Sequence, residues 1–223
     1  MRIFDMDSPL MEFLTKIADL MILNLLWLVC SLPIVTIGAA TTALYRCLLN
    51  LERDGVLSAV RDFFCAFKSN FKKATLLWII QIAAMAVAAL DFLYFLGIVG
   101  DMSRILQIIC LLPAIWLLMG CSYLFPLQAQ FENTVGQTAK NAILLSLANL
   151  PTSIAVTALN LVPLLIWYYH VELLLKSLIV WVLIGVSAIA WLNTLLLGKV
   201  FQRYIPGDQD EAPPESSGAI TTK

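Results

Sequence analysis

Ser31-Leu32-Pro33-Ile34-Val35-Thr36-Ile37-Gly38 lies near the middle of an uncharged run of 26 residues, Leu20 to Tyr45, bounded by Asp19 and Arg46. About 20 apolar residues suffice to cross a bilayer as a helix. Pro33 removes a backbone donor and clashes with the preceding turn, so it breaks or bends the helix there. Two paths follow. The run crosses once with a kink, or it dips into the membrane and turns back. From Pro33 to Arg46 is 13 residues, about 20 Å of helix. That is short for a lipid-exposed return and sufficient for a re-entrant one held inside a bundle.

The rest of the chain agrees with a membrane location. Hydrophobic residues make up 61% and charged residues 13%, against about 25% charged in soluble domains. The apolar residues also fall in long blocks. The expected fold is therefore all-α: a polytopic membrane helix bundle of five or six membrane helices, including a Pro/Gly-broken first pair, plus a cytoplasmic amphipathic helix. Its partner is the lipid bilayer. The net charge of −1 argues against nucleic acid. No cleavable signal peptide is expected, because Asp5, Asp7, Glu12 and Asp19 precede the first apolar run where a signal needs a short basic region.

Working outward, Ser8-Pro9 is a helix start, with Ser8 as cap and Pro9 at the first helical position. A helix over 9–31 begins amphipathic and turns apolar at Leu20. After the break, Gly38-Ala39-Ala40-Thr41-Thr42-Ala43 supplies small residues that let helices approach closely in lipid, and a second helix continues to Leu51. Asp54-Gly55 signals a turn. In 56–73, Val56, Val60, Phe63, Phe64, Phe67 and Phe71 recur at three- and four-residue intervals, with Arg61, Lys68, Lys72 and Lys73 largely off the stripe. That pattern predicts a basic amphipathic helix lying in the membrane interface. Further apolar segments cover 74–99, 105–127, 147–169 and 177–197. A more polar helix is expected over 131–146. The Pro-, Gly- and acid-rich tail is expected to be disordered, giving one membrane domain over 1–204 and a disordered acidic tail over 205–223.

Lys and Arg in short loops report orientation. With one crossing in the first run, four of them (Arg2, Lys16, Arg104, Lys176) face ten. With a turn-back, Arg2 and Lys16 join the basic side, and two face twelve. Charge thus favours an N-terminus on the cytoplasmic side with the C-terminus. Trp78 is then expected near the inner boundary and Trp167, Tyr168 and Tyr169 near the outer one.

Asp91 is the sharpest candidate for chemistry. It sits in an otherwise uncharged span, where an unpaired carboxylate costs several kcal/mol. It is either a proton, cation or solute site, or a hydrated carboxylate two turns from the outer boundary. Pro33, Gly38, Thr41 and Thr42 form the second candidate, a small-residue re-entrant turn tolerated only where protein or water surrounds the backbone. Asn24, Gln81, Gln107, Asn149, Asn160 and Asn193 are read first as interhelical hydrogen-bonding residues. Arg61, Lys68, Lys72, Lys73, Glu132 and Asn133 are candidates for contact with a partner or with lipid head groups. His170 is the only histidine and reads as an interfacial residue. Five cysteines without C-x-x-C spacing read as packing residues. Phosphate-loop, G-x-S-x-G and H-E-x-x-H motifs do not occur, so the expectation is a non-enzyme with no catalytic residue, metal or cofactor.

Several blocks in order complete the reading. They are Asp7-Ser8-Pro9, Leu32 to Ala39 with Thr41-Thr42-Ala43-Leu44-Tyr45, Arg61-Asp62-Phe63-Phe64 with Phe67-Lys68 and Asn70-Phe71-Lys72, Phe125-Pro126-Leu127, Phe131-Glu132-Asn133, Lys140-Asn141-Ala142 and Asn149-Leu150-Pro151. Together they resemble the YesL family over roughly residues 3–205. YesL-like proteins are bacterial integral membrane proteins without an established biochemical activity, encoded near carbohydrate-uptake transporters and two-component systems. The resemblance implies a context of carbohydrate uptake or sensing, with sugar ABC transporter subunits as partners, and assigns no site residue. The alternative expectation is a stand-alone small-solute transporter or channel using Asp91.

Overall fold

The structure, a computed structural model, describes residues 9–55, 57–96 and 101–203. These residues form helices and the short turns between them: α1 (Pro9–Ser31), a 3-10 turn (Ile34–Thr36), α2 (Ile37–Asp54), α3 (Ala59–Leu96), α4 (Asp101–Gln130), α5 (Val135–Ala148), α6 (Leu150–Tyr169), α7 (Val171–Val180), a π-helical turn (Trp181–Gly185) and α8 (Val186–Phe201). Among the described residues five stretches are long and apolar enough to cross a membrane: Phe13–Ser31, Ile34–Asp54, Ala59–Tyr94, Leu150–Tyr169 and Leu175–Phe201. The chain is an all-helical, multi-pass membrane bundle. The Ser8 cap and the acidic tail lie outside the described residues.

The uncharged run turns back on itself. Trp27 Nε1 donates to Thr41 Oγ1 at 3.0 Å, and Thr36 Oγ1 donates to the Cys30 carbonyl at 2.6 Å. Pairs 27/41 and 30/36 are nearly symmetric about residue 33, which makes α1 and α2 an antiparallel hairpin. The return does not end at Arg46. α2 runs 18 residues, about 27 Å, because Arg46 stays inside the fold and donates to the Ala129 carbonyl at 2.6 Å. α2 stops at Gly55, whose φ of 70° supplies the left-handed cap.

The amphipathic segment differs from its expected form. Instead of a separate interfacial helix over 56–73, it is the first half of the 38-residue α3. Residues 59–96 contain neither Pro nor Gly, so Lys72-Lys73 changes the surface without breaking the backbone. Its phenylalanines also divide. Phe63 is buried and Phe67 half-buried, while Phe64 and Phe71 are exposed. Phe67 stacks on Phe63 at 6.3 Å and meets Phe71 edge-on at 5.4 Å.

α4 runs antiparallel to the second half of α3. Residues Leu77, Gln81 and Met85 line a small apolar cavity together with Leu124, Cys121 and Leu117. α5 opens with a capping box, Thr134 and Gln137 bonding each other's backbone N–H. Asn149 separates α5 from α6, and Pro151 falls in the first turn of α6, where its missing N–H costs nothing. The expected span over 147–169 therefore begins at Leu150. α7, the π turn and α8 follow one another without interruption from Val171 to Phe201.

Two core clusters hold the bundle. Leu23, Ala43, Leu44, Leu48, Phe63 and Phe125 form one, and Leu77, Tyr123, Leu127, Val156, Leu197 and Phe201 form the other. Outside, Leu76, Ile79, Ile82, Val87, Leu90 and Leu93 expose the second half of α3. An apolar surface of that extent belongs in lipid.

Candidate functional site

The tip of the hairpin is apolar and exposed: Leu32 is 80%, Ile34 70% and Val35 55% accessible. Lipid offers no partner to a free carbonyl, so a turn in lipid must satisfy its own backbone. This one does. Thr36 donates its amide to the Pro33 carbonyl at 2.9 Å, and its hydroxyl lies 2.7 Å from the same oxygen and 2.6 Å from that of Cys30. Trp78 Nε1 donates to the Ile34 carbonyl at 2.9 Å. Pro33 has no N–H to satisfy. Surrounding protein or water was the expected condition for this turn. Here two side chains bond the Cys30, Pro33 and Ile34 carbonyls, and the turn's apolar residues face outward.

Gly38 seats the hairpin on α3. A Cβ there would lie 2.6 Å from the Ala74 carbonyl oxygen, 2.6 Å from Trp78 Cβ and 3.1 Å from Phe125 Cε1. Thr42 is fully buried and donates to the Gly38 carbonyl at 2.9 Å. Thr41 donates to the Ile37 carbonyl at 2.7 Å while accepting from Trp27. These four candidates are thus brought together, Pro33 at the tip and the others along the first two turns of α2.

Two polar knots tie the hairpin to the last helix. Asn24 is completely buried. Its Nδ2 donates to the carbonyls of Trp181 at 3.0 Å and Val182 at 2.7 Å, and its Oδ1 accepts from the Ser187 amide at 2.9 Å. The π turn removes regular i→i−4 partners, and Asn24 replaces them. Asn193, also buried, donates to Tyr45 Oη at 3.2 Å and to Asn160 Oδ1 at 3.0 Å, joining α8, α2 and α6. Beside this knot lies a cavity of about 210 Å³ whose wall includes Trp27, Thr41, Tyr45, Asn160, Trp167 and Trp181.

The charged end of the bundle is built around Arg46. Its bond to the Ala129 carbonyl places a cation at the C-terminus of α4, where the helix dipole favours it. On one side a cleft of about 460 Å³ opens between α2, α3 and the end of α4, with Asn50, Asp62, Asn70, Lys73, Gln128 and Glu132 in its wall. Lys73 Nζ donates to the Asn133 carbonyl at 3.2 Å. Gln128 is locked by Thr138 Oγ1, which donates to its Oε1 at 2.9 Å. On the other side a second cleft of about 450 Å³ runs between α2, α4 and α8. Arg46 and Asn50 line both.

The structure brings Lys73 and Glu132 to the first cleft, and Asn133 meets Lys73 through its carbonyl. Arg61, Lys68 and Lys72 are exposed on the surface of α3. Asp91 is exposed near the far end of α3 and is not among the residues lining the cavities described here. His170 is the exposed residue between α6 and α7. Arg46, Asn24 and the Tyr45–Asn193–Asn160 knot extend the set of candidates. The uncharged surroundings of Asn24 and Asn193 were the signal for the knots. Arg46 carried none, since its partner is a backbone carbonyl 83 residues away.

Residues 20–92 match a protein family described as "Protein of unknown function, DUF624". The match covers most of the hairpin and nearly all of α3, including the blocks at 32–45 and 61–72. No curated protein and no solved structure matches the chain.

Proposed function

We propose that this protein is a non-enzymatic accessory of carbohydrate uptake, which holds a sugar ABC transporter or its sensing partner against its charged end. The observation that carries the reading is the exposed row of Arg61, Lys68 and Lys72 on a helix anchored by buried Phe63, next to a polar cleft edged by Glu132. A rigid helix presenting unsatisfied charge suits an acidic protein surface. The YesL resemblance supplies the carbohydrate context. Basic residues gather at this end, so the positive-inside rule puts it in the cytoplasm with both termini.

Affinity purification from native membranes tests the reading. Permease or ATPase subunits should accompany the wild type. The triple variant Arg61→Glu, Lys68→Glu, Lys72→Glu should lose them at unchanged membrane abundance. Recovery of the wild type alone after gentle solubilisation counts against it.

A second reading, a stand-alone solute transporter, is favoured by the aromatic cavity beside Asn160. Aromatic walls with a few polar groups are what small-molecule sites use. It requires flux of sugars, ions or protons in reconstituted vesicles, and Asp91→Asn should reduce that flux if the carboxylate takes part. Vesicles without flux exclude it.

A further inference from the structure

The second cleft at the charged end has a different composition from the first. In the first, Arg46 and Lys73 face Asp62 and Glu132, and the charges balance. In the second, Arg46, Arg53 and Lys199 face Glu52 alone. Arg53 is engaged by Asp54 at 2.8 and 2.9 Å, and Glu52 accepts from Trp191 Nε1 at 2.6 Å. Arg46 spends one N–H on a carbonyl, and Lys199 has no ion pair among the described residues. Glu52 keeps its negative charge, so the cleft holds Arg46 and Lys199 against one carboxylate, a net charge of +1, with the amides of Asn50 and Gln130 nearby and the exposed Leu195 in its wall.

Its position decides what such a cleft meets. The apolar stretches Ile34–Asp54 and Leu175–Phe201 both end at it. Membrane spans end where phospholipid head groups lie. Basic pockets between helices at that level recognise phosphate-bearing head groups, and a volume of about 450 Å³ falls within the range of small-ligand sites.

We infer that the cleft between α2, α4 and α8 binds the phosphate of an anionic phospholipid, with Arg46 and Lys199 on the phosphate and the exposed Leu195 against the first carbons of an acyl chain. Arg46 would then join three elements, holding the α4 terminus with one N–H and the lipid with the others. The site is distinct from the exposed row on α3, where lipid contact would be diffuse.

The full chain in detergent, supplied with phosphatidylglycerol or phosphatidylcholine and examined by native mass spectrometry, tests this. The wild type should retain one phosphatidylglycerol in preference to phosphatidylcholine. Lys199→Gln, an exposed position that leaves the fold intact, should weaken retention about fivefold, the worth of one basic residue near an anionic surface. The double variant Arg61→Gln, Lys68→Gln should retain the lipid as the wild type does. Equal retention by Lys199→Gln overturns the site, and equal loss in the α3 double variant assigns the attraction to diffuse charge and overturns it too. Inorganic phosphate is the remaining arm. If it raises the melting temperature of the lipid-free wild type but not of Lys199→Gln, and phosphatidylglycerol adds nothing, the ligand is a soluble phosphate and the lipid assignment fails.

Discussion

Replacing Gly38 by Ala adds one methyl group where the packing leaves none. The new Cβ would stand 2.6 Å from the Ala74 carbonyl oxygen and 2.6 Å from Trp78 Cβ. Ordinary contact begins at 3.4 Å, so α2 and α3 must separate by 0.8 Å (3.4 less 2.6) along these lines. Neither obstacle is the free end of a flexible side chain. One is α3 backbone, and the other belongs to the tryptophan whose indole holds the tip carbonyl of Ile34. Overpacking of this kind costs about 1–3 kcal/mol, roughly a 5- to 150-fold loss in the folding constant at 1.4 kcal/mol per tenfold. The assay is the melting temperature in detergent, read as the fraction remaining monodisperse on size exclusion after heating. Gly198→Ala is the matched control, since nothing lies within 4 Å of a Cβ there. Gly38→Ala should melt clearly below both the wild type and Gly198→Ala. If Gly38→Ala melts with the wild type, the close α2–α3 contact is refuted, and with it the seating of the hairpin.

Three further outcomes follow from the same geometry. Asn24→Leu leaves the Trp181 and Val182 carbonyls and the Ser187 amide without their partner, and should cost about 1–2 kcal/mol in the same melting assay, between the average for bonds in membranes and that for orphaned buried groups. Thr36→Val keeps the shape but removes the hydroxyl from the Cys30 and Pro33 carbonyls; a loss of about 1 kcal/mol is expected, with Thr36→Ser restoring most of it. Trp78→Phe should lower the melting temperature by removing the bond to Ile34, and the combination with Thr36→Val should be non-additive because both act on one turn.

Much of this architecture is legible in the charge pattern. The uncharged run, the small residues from Gly38, the Asp54-Gly55 stop and the helical segments after it all appear as helices or turns near their expected places. What was not legible depends on contacts remote in sequence. Lys72-Lys73 looked like the end of an interfacial helix, yet a helix without Pro or Gly has no reason to stop where only its surface polarity changes. Arg46 looked like the limit of the return because an isolated arginine marks a membrane boundary, and its partner on α4 could not be inferred from spacing. The π turn has no sequence signature here, although the buried Asn24 that serves it stood out as a polar residue in an apolar run. Asp91 stood out for the same reason, and it lies on the exposed surface of α3. Polarity within an apolar segment identifies an unusual residue, and only the packing tells whether that residue faces a neighbouring helix or the outside.

The turn at Leu32–Thr36 sets the side on which α1 begins, and paired thiol accessibility reads that side. In a background with the native cysteines replaced, Lys16→Cys on α1 and Ser58→Cys beyond α2 are labelled separately with a membrane-impermeant thiol reagent in intact cells and in inverted vesicles. A hairpin predicts that both react from the same side of the membrane. Reaction from opposite sides would mean that the run from Leu20 to Tyr45 crosses once, and would contradict the hairpin.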